Sequence, residues 1–281
     1  MNAPERIGIV TPVYNKAEYI EETLLSVEAQ TLRDWDLILV DDCSKDESRE
    51  VIHRHFSLLP GCEKLGEEEP FPGRDERVTT WSLPGGATVL LAELPKNIGA
   101  AASRNLGLKY VKGRYLAFLD SDDLWMPEKL SRQLSFLREK HAAFTFTSYE
   151  FGDTDAKGTG RIVKVPETLN YTQALSRTVI FTSTVLFDME KLPREKLRMP
   201  RISSEDTATW WTILKTGIVA HGLQENLTIY RRPQGGSLSS NKLHAIHRIW
   251  DLYRKREGMS IPGSIRYFIP WAFRATLRRV G

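Results

Sequence analysis

Apolar residues in the first 140 positions follow two alternating rhythms. Short unbroken runs at 7–10 (Ile-Gly-Ile-Val), 37–40 (Leu-Ile-Leu-Val), 88–94 and 115–119 read as strands covered on both faces, since they carry no polar side. Helical patterns separate them. Asn15-Lys16-Ala17-Glu18 and Ser44-Lys45-Asp46-Glu47 each read as a capping box, opening helices that run to about residue 29 and about residue 56. A third helix is predicted over 100–111. Pro127 suits the first turn of a fourth helix ending near residue 140. Strand and helix alternating at this spacing predict an α/β domain, a mixed but mostly parallel sheet flanked by helices.

Two stretches break the alternation. Residues 60–77 hold three Pro, three Gly and a Glu-rich run, and predict a surface insertion reaching to about residue 87. Residues 143–165 are strand-rich and predict a departure from the parallel scheme. A helix over 204–215, a strand over 227–230 and a Gly-Gly turn follow. The chain therefore divides into a body, 1–241, and a C-terminal extension, 242–281.

With 41% hydrophobic and 27% charged residues among 281, the chain can fill a sizeable core, and low-complexity disorder is excluded. Two cysteines cannot build a disulfide framework, so a reducing compartment is expected. The first residues show no apolar signal core. No segment approaches the ~20 apolar residues of a membrane span. The expected location is cytoplasmic, at most peripheral on the inner face of the cell membrane. Charge is uneven: 242–281 carry nine Lys/Arg against two acidic residues, a balance of +7, which leaves −4 for the body out of a net +3. Within that basic amphipathic tail, Ile265, Tyr267, Phe268, Ile269, Trp271 and Phe273 alternate with Arg266, Arg274, Arg278 and Arg279. Aromatic anchors among arginines favour a segment lying on an anionic membrane surface, kinked at Pro270, over the alternative of an element packed on the core or in a dimer interface. No nucleic-acid module accompanies the tail, and nucleic acid is not an expected partner.

In open α/β sheets ligands bind beyond the carboxyl ends of the strands. Those ends read Thr-Pro-Val-Tyr-Asn (11–15), Asp41-Asp42, Asn97-Ile98-Gly99 and Asp120-Ser121-Asp122-Asp123. Five carboxylates at two strand ends exceed what caps and turns require, and ask for a cation or a hydrogen-bonding ligand. Asp120-x-Asp122 supplies hard oxygens suited to Mg²⁺ or Mn²⁺ completed by phosphate oxygens. A dinucleotide fingerprint and a P-loop are both missing, which removes support for hydride transfer and for P-loop phosphoryl transfer. Arg231, Arg232, Ser237 and Ser239 are expected in a donor-rich loop after a strand, able to close on a diphosphate. Lys16 and Lys45 are expected to be solvated at helix starts. His244 and His247 are read as surface or tail-packing residues rather than metal ligands.

Four motifs in order carry a resemblance: Thr-Pro-Val-Tyr-Asn (11–15), Asp-Leu-Ile-Leu-Val-Asp-Asp-Cys-Ser-Lys-Asp (36–46), Asn-Ile-Gly-Ala-Ala-Ala-Ser-Arg-Asn (97–105) and Phe-Leu-Asp-Ser-Asp-Asp-Leu-Trp (118–125). Over roughly 6–240 the chain resembles the family 2 glycosyltransferases. Ser-Ser-Glu-Asp-Thr-Ala-Thr-Trp-Trp (203–211) and the segment 230–242 resemble the branch that builds bacterial surface polysaccharides. The resemblance implies a GT-A fold and an inverting, metal-dependent transfer of one hexose or N-acetylhexosamine from a UDP-sugar to a hydroxyl of a lipid-linked oligosaccharide or glycan. It implies that Pro12, Val13 and Tyr14 pack on the base and Asp42 accepts the uracil N–H. Asn97, Gly99, Arg104, Asp120, Ser121 and Arg231 would contact the nucleotide-sugar, Asp120 and Asp122 the metal, and Asp206 would be the general base. The Gln-x-x-Arg-Trp signature of processive synthases is absent, which favours one sugar per encounter. Two alternatives stand beside this reading: a non-catalytic scaffold in a polysaccharide-assembly complex, and a nucleotide-sugar pyrophosphorylase.

Overall fold

The computed structural model describes residues 4–70, 73–231 and 242–280. Its first half alternates as expected. Strand β1 (Ile7–Val13) leads to helix α1 (Ile20–Glu28), β2 (Trp35–Asp41) to α2 (Ser48–Leu58). After β3 (Glu63–Glu68), β4 (Arg77–Ser82) and β5 (Thr88–Glu93) come α3 (Ala100–Tyr110), β6 (Tyr115–Phe118), the short β7 (Leu124–Trp125) and α4 (Lys129–Glu139). The second half contains β8 (Phe144–Gly152), β9 (Gly158–Val163), β10 (Thr168–Leu169), α5 (Tyr171–Leu175), β11 (Val185–Asp188), α6 (Glu205–Leu214) and β12 (Ala220–Arg231). Helix α7 (Lys242–Asp251) runs through a π-helical stretch, Leu252–Arg256, towards α8 (Ile261–Val280).

Twelve strands among the described residues form one sheet, in the order β10-β12-β8-β11-β6-β1-β2-β5-β4-β3, with β7 on β12 and β9 on β8. The middle, β6-β1-β2-β5, is parallel, and β11 and β4 flank it antiparallel. Beyond β11, β8 pairs with β12 in parallel and with β9 antiparallel, the departure expected over 143–165. Strand period two sends alternate side chains to opposite faces. Ile7, Ile9, Leu37 and Leu39 join one core under α1, α2 and α4; Val10, Ile38, Val40, Leu116 and Phe118 join the other, with α3 and α6. Helix α3 lies unusually close to β1. A Cβ on Gly107 would stand 2.4 Å from Val10 Cγ1, and one on Gly8 2.5 Å from Val111 Cγ1. Those glycines let the helix that follows the Asn97-Ile98-Gly99 turn sit directly on the strand that ends in Pro12 and Val13.

Two expectations are sharpened and two corrected. The insertion over 60–87 is built from β3 and β4, an antiparallel pair that extends the sheet past β5. Neither capping box forms. Asn15 adopts φ 51° and its side chain accepts from Lys45 N at 2.8 Å, so α1 begins only at Ile20. Asp46, rather than Ser44, accepts from Ser48 N at 3.0 Å and from Ala17 N at 3.0 Å, knitting the starts of both helices together. The strand expected over 227–230 is the end of the twelve-residue β12. Finally, the C-terminal extension does not lie wholly on the surface. Ile249, Leu252, Tyr253 and Trp271 are buried in the core that holds α6, Tyr253 stacks on Trp211 with centroids 5.4 Å apart, and Trp271 Nε1 donates to Thr178 Oγ1 at 2.8 Å. Only the outer side of α8 stays apolar and exposed, at Ile261, Ile265, Ile269 and Phe273 (43–66% exposed).

Candidate active site

The strand ends converge as the topology demands. Pro12, Val13, Tyr14, Lys16, Asp42, Asn97, Gly99, Ala100, Arg104, Asp120, Ser121 and Asp122 line one cleft of about 340 Å³. Every residue expected to touch a nucleotide-sugar is there except Arg231.

Within this cleft several motif side chains first build the walls. Both Asp42 oxygens accept backbone N–H groups, from Ile98 at 2.6 Å and Gly99 at 2.8 Å, while Asn97 Nδ2 donates to Asp42 O at 3.1 Å. Asp42 therefore fixes the 97–99 turn against the end of β2, and Gly99, at φ 86°, takes a conformation L-residues avoid as it enters α3. Asp41 is buried and belongs to the fold: Arg49 Nε donates to it at 2.5 Å and Ser44 N at 3.1 Å. Asp123 is likewise internal, accepting from Ser183 Oγ at 2.5 Å and Arg231 N at 3.1 Å. Burial, helped by the charges of Asp122 and Asp120, raises its carboxyl well above the ordinary range. That leaves Asp120 and Asp122 as the carboxylates of the turn that open on the cleft.

Each of those two already faces a cation. Arg104 Nη2 donates to Asp120 Oδ1 at 2.6 Å and Lys16 Nζ to Asp122 Oδ2 at 2.5 Å. Lys16 is thus part of the site, not a solvated helix start; the signal was its place directly after the 11–15 motif at the end of β1. Among the described residues no cluster of three or more His, Cys, Asp or Glu gathers. Two hard carboxylates, each with one oxygen that no described residue hydrogen-bonds, fit a divalent ion that takes its other ligands from phosphate and water.

Arg104 does more than face the nucleotide cleft. Its buried guanidinium also donates through Nη1 to Glu205 Oε1 at 2.9 Å, and the adjacent Asn105 exchanges hydrogen bonds with the Met199 backbone, both at 2.7 Å. The Arg-Asn pair of the third motif therefore pins residues 199–205, and with them the start of α6, to α3. Burial works against the charge on Arg104, but Asp120 and Glu205 outweigh it and hold its proton more firmly than usual. Glu205 is pushed up, by burial first and then by Asp206, against the pull of Arg104.

Asp206 occupies a second cleft, of about 390 Å³, that shares Arg104 and Asp120 with the first. Thr182 Oγ1 donates to its Oδ2 at 3.3 Å and Thr207 N to its Oδ1 at 2.6 Å. Ser204, just before α6, has φ 62°, so the chain turns sharply to present Glu205 and Asp206. Trp210 and Trp211 point away into the core, Trp210 against Phe118, Phe144 and Phe187. The cleft's wall is instead Tyr149, Phe151, Phe181 and Tyr230. Sequence reasoning missed this cluster, because its members come from β8, β12 and the segment before β11 and meet only through the β8–β12 pairing.

Arg231 is corrected as well. It is not a loop residue but the buried last position of β12, its Nε donating to Asp122 O at 2.8 Å and its Nη1 to Thr154 O at 2.7 Å, with Glu22 as its ion-pair partner. It holds the Asp120–Asp123 turn from behind. Arg232, Ser237 and Ser239 lie outside the described residues. His244 and His247 are exposed on α7, as expected.

A family model described as Glycosyl transferase family 2 matches residues 8–71 and 85–191. TuaG of Bacillus subtilis, whose name assigns it provisionally to teichuronic acid biosynthesis as a glycosyltransferase, is 36% identical over 98% of this chain and 97% of its own. WfgD of Escherichia coli, named UDP-Glc:alpha-D-GlcNAc-diphosphoundecaprenol beta-1,3-glucosyltransferase, is 32% identical over 88% of this chain and 84% of its own. Among solved structures, the mannosyltransferase PcManGT of Pyrobaculum calidifontis, in complex with GDP-Man and Mn²⁺, aligns with TM-score 0.66 at 18% identity, over 97% of this chain and 72% of that one. TarS 1–349 of S. aureus, in complex with UDP-GlcNAc, gives 0.62 at 19% identity; the match covers 89% of this chain and 65% of the TarS chain. At those identities the likeness is one of fold, and it establishes the GT-A architecture.

Proposed function

This chain belongs to glycosyl transferase family 2, and from that premise we propose that it moves one hexose or N-acetylhexosamine from a UDP-sugar to a hydroxyl of a lipid-linked surface glycan, with inversion at the anomeric carbon. One observation carries the proposal: two clefts, one lined by the nucleotide motifs and one holding Asp206, meet at Arg104 and Asp120. Such a pair suits a donor and an acceptor that must touch across one bond.

In this reading the base packs along Pro12, Val13 and Tyr14, the last 45% exposed at the rim. Asp120 and Asp122 would hold Mn²⁺ or Mg²⁺, which when bound neutralises charge on the donor diphosphate. Asp206 takes the proton of the acceptor hydroxyl as the hydroxyl oxygen forms its bond to the anomeric carbon. The bond from that carbon to the diphosphate oxygen breaks on the opposite side, and UDP leaves with the electron pair. Lys16 stands beside the departing phosphates, its ammonium on Asp122 and its side chain 28% exposed. Thr182 keeps the Asp206 carboxylate turned into the cleft.

The two relatives reported above are named as glycosyltransferases, one acting on a diphospholipid-linked sugar, which supports a lipid-linked acceptor. Family membership also runs against a pyrophosphorylase. A bare scaffold would need neither the paired clefts nor Asp206. No helix among the described residues is long and apolar enough to cross a membrane. The exposed stripe Ile261, Ile265, Ile269 and Phe273 on α8, with Arg266 beside it, supports a peripheral seat on anionic lipid.

The test is a nucleotide-sugar panel scored for slow donor hydrolysis and thermal stabilisation with and without Mn²⁺. A metal-dependent response to one UDP-sugar, lost in Asp122→Asn, is the expected result. Silence across the panel from folded protein would return the scaffold reading.

A further inference from the structure

The cleft that holds Asp206 contains one cation that the fold does not use. Arg248, on α7, lines it half-buried, and its Nε is shut off from solvent with no hydrogen-bond partner. Among the described residues no carboxylate pairs with its guanidinium. The contrast with the other arginines here is plain, since Arg104 is held by Asp120 and Glu205, and Arg231 by Glu22 and two carbonyls. A guanidinium N–H withdrawn from water without a partner is costly unless a ligand supplies the acceptor. The wall between the charged groups is aromatic: Phe181 and Tyr230 lie 4.1 Å apart by ring centroid, Tyr149 and Phe181 5.5 Å, Phe151 and Tyr230 5.7 Å. Such a wall accepts the apolar face of a sugar ring and carries no charge of its own. Among the described lining residues Arg248 is the cation without a carboxylate partner, so an anion entering the cleft is drawn to it, away from Glu205 and Asp206.

We propose that Arg248 binds the phosphate of a glycosyl phosphate or diphosphate acceptor, whose sugar lies against Phe181 and Tyr230 with its hydroxyl towards Asp206. The proposal rests on the transferase reading and names the acceptor class for it. The surroundings agree. Helix α8 lines the same cleft through Trp271 and Ala275, and its other side is the exposed stripe Ile261, Ile265, Ile269 and Phe273. A phosphate held at Arg248 would leave a lipid tail beside this exposed apolar stripe. Arginine suits this task because its fork can bond two phosphate oxygens at once.

Binding decides the matter without turnover. With the donor cleft filled by UDP and Mn²⁺, calorimetry would compare three probes: a decyl-diphosphate-linked GlcNAc, the uncharged decyl glycoside of GlcNAc, and decyl glucuronide. The wild type should bind the diphosphate probe at least tenfold more tightly than the uncharged glycoside. Arg248→Gln should erase that difference while leaving UDP affinity and melting temperature unchanged, and Arg248→Lys should restore part of it. Equal affinity for charged and uncharged probes, or discrimination that survives Arg248→Gln, would overturn the assignment. Preference for the glucuronide would overturn it too, by placing the anion in the glycan rather than in the linkage. Failure of the transferase reading shows separately, as failure to bind UDP or turn over any donor.

Discussion

Lys16 and Asp122, 106 positions apart in sequence, meet through a 2.5 Å bond from Nζ to Oδ2. The lysine puts a positive charge on the carboxylate where the proposed metal would bind, and both side chains are partly exposed, so the ammonium can swing away. Lysine and metal should compete. Replacing Lys16 by Met should tighten Mn²⁺ binding in the absence of nucleotide by roughly three- to tenfold, the scale of one screened charge at contact range. Titration of free Mn²⁺ by electron paramagnetic resonance reads this directly. Unchanged or weaker binding would show that the pair does not guard the site.

Asp206→Asn should lower the transfer rate by about 10²- to 10⁴-fold, the usual contribution of a positioned base, and leave UDP affinity within twofold. The split between rate and binding is what matters. A parallel loss of UDP affinity would assign Asp206 to holding the two clefts together rather than to proton transfer.

Arg104 joins those clefts mechanically. Removing it strands Asp120 and Glu205 in a partly desolvated setting, so Arg104→Met should cost about 2–4 kcal/mol in urea unfolding, below the full value for a buried pair because both carboxylates keep some solvent. Adding Glu205→Gln should recover part of the loss. Strict additivity of the two variants would mean that the pair is not energetically coupled.

Lys129 gives a pH signature far from the chemistry. It is fully buried on α4, its Nζ lies 3.8 Å from the Trp125 ring centroid without a hydrogen-bond partner, and burial drives its pKa well below the normal lysine value. Between the folded and the unfolded pKa the unfolded chain then holds a proton that the native state has released. Stability contributed by this group rises with pH up to the unfolded lysine value near 10.4, and falls as pH drops towards the folded pKa. Lys129→Met should stabilise the protein at pH 7 by about 1–3 kcal/mol and shrink its advantage at pH 9.5. Urea melts at the two pH values check the sign. A variant less stable at pH 7 would mean the cation earns its place through the Trp125 ring.

The stripe on α8 can be tested independently of activity. Ile269→Glu with Phe273→Glu should reduce binding to vesicles containing anionic lipid by tenfold or more, with the melting temperature unchanged because both side chains are exposed. Unchanged vesicle binding combined with a loss of self-association would assign the stripe to a second copy of the chain.

Much of this could be read before the fold was known. The strands ending in Val13, Asp41 and Phe118 were legible because buried parallel strands are written as unbroken apolar runs, and the motifs fell at their carboxyl ends by topology alone. The β3–β4 pair was not legible: Glu63–Glu68 is exposed at every position, so no alternation betrays it. The capping boxes failed because Asn15 and Asp46 spend their side chains tying two loops together, a long-range demand that local spacing cannot express. Arg231 read as a loop donor since its ties, to Glu22, Asp122 O and Thr154 O, are 77 or more positions away. The aromatic wall and Arg248 come from four separate segments and share no pattern in the sequence.

The strand β3 also bears on how so wide a sheet ends. A sheet of this kind ends in rows of unpaired amides that invite another chain to add on. Here one end of the strand order, β10, is two residues long, and the other, β3, carries Glu63, Lys64, Glu67 and Glu68 on a fully exposed ribbon. A neighbour docking there would meet mostly negative charge along six residues and too little backbone at the opposite side to hold on to. The irregular Glu-rich run is thus a charged sheet edge, of the kind that discourages edge-to-edge pairing. Neutralising Glu67 and Glu68 would turn it into a seam.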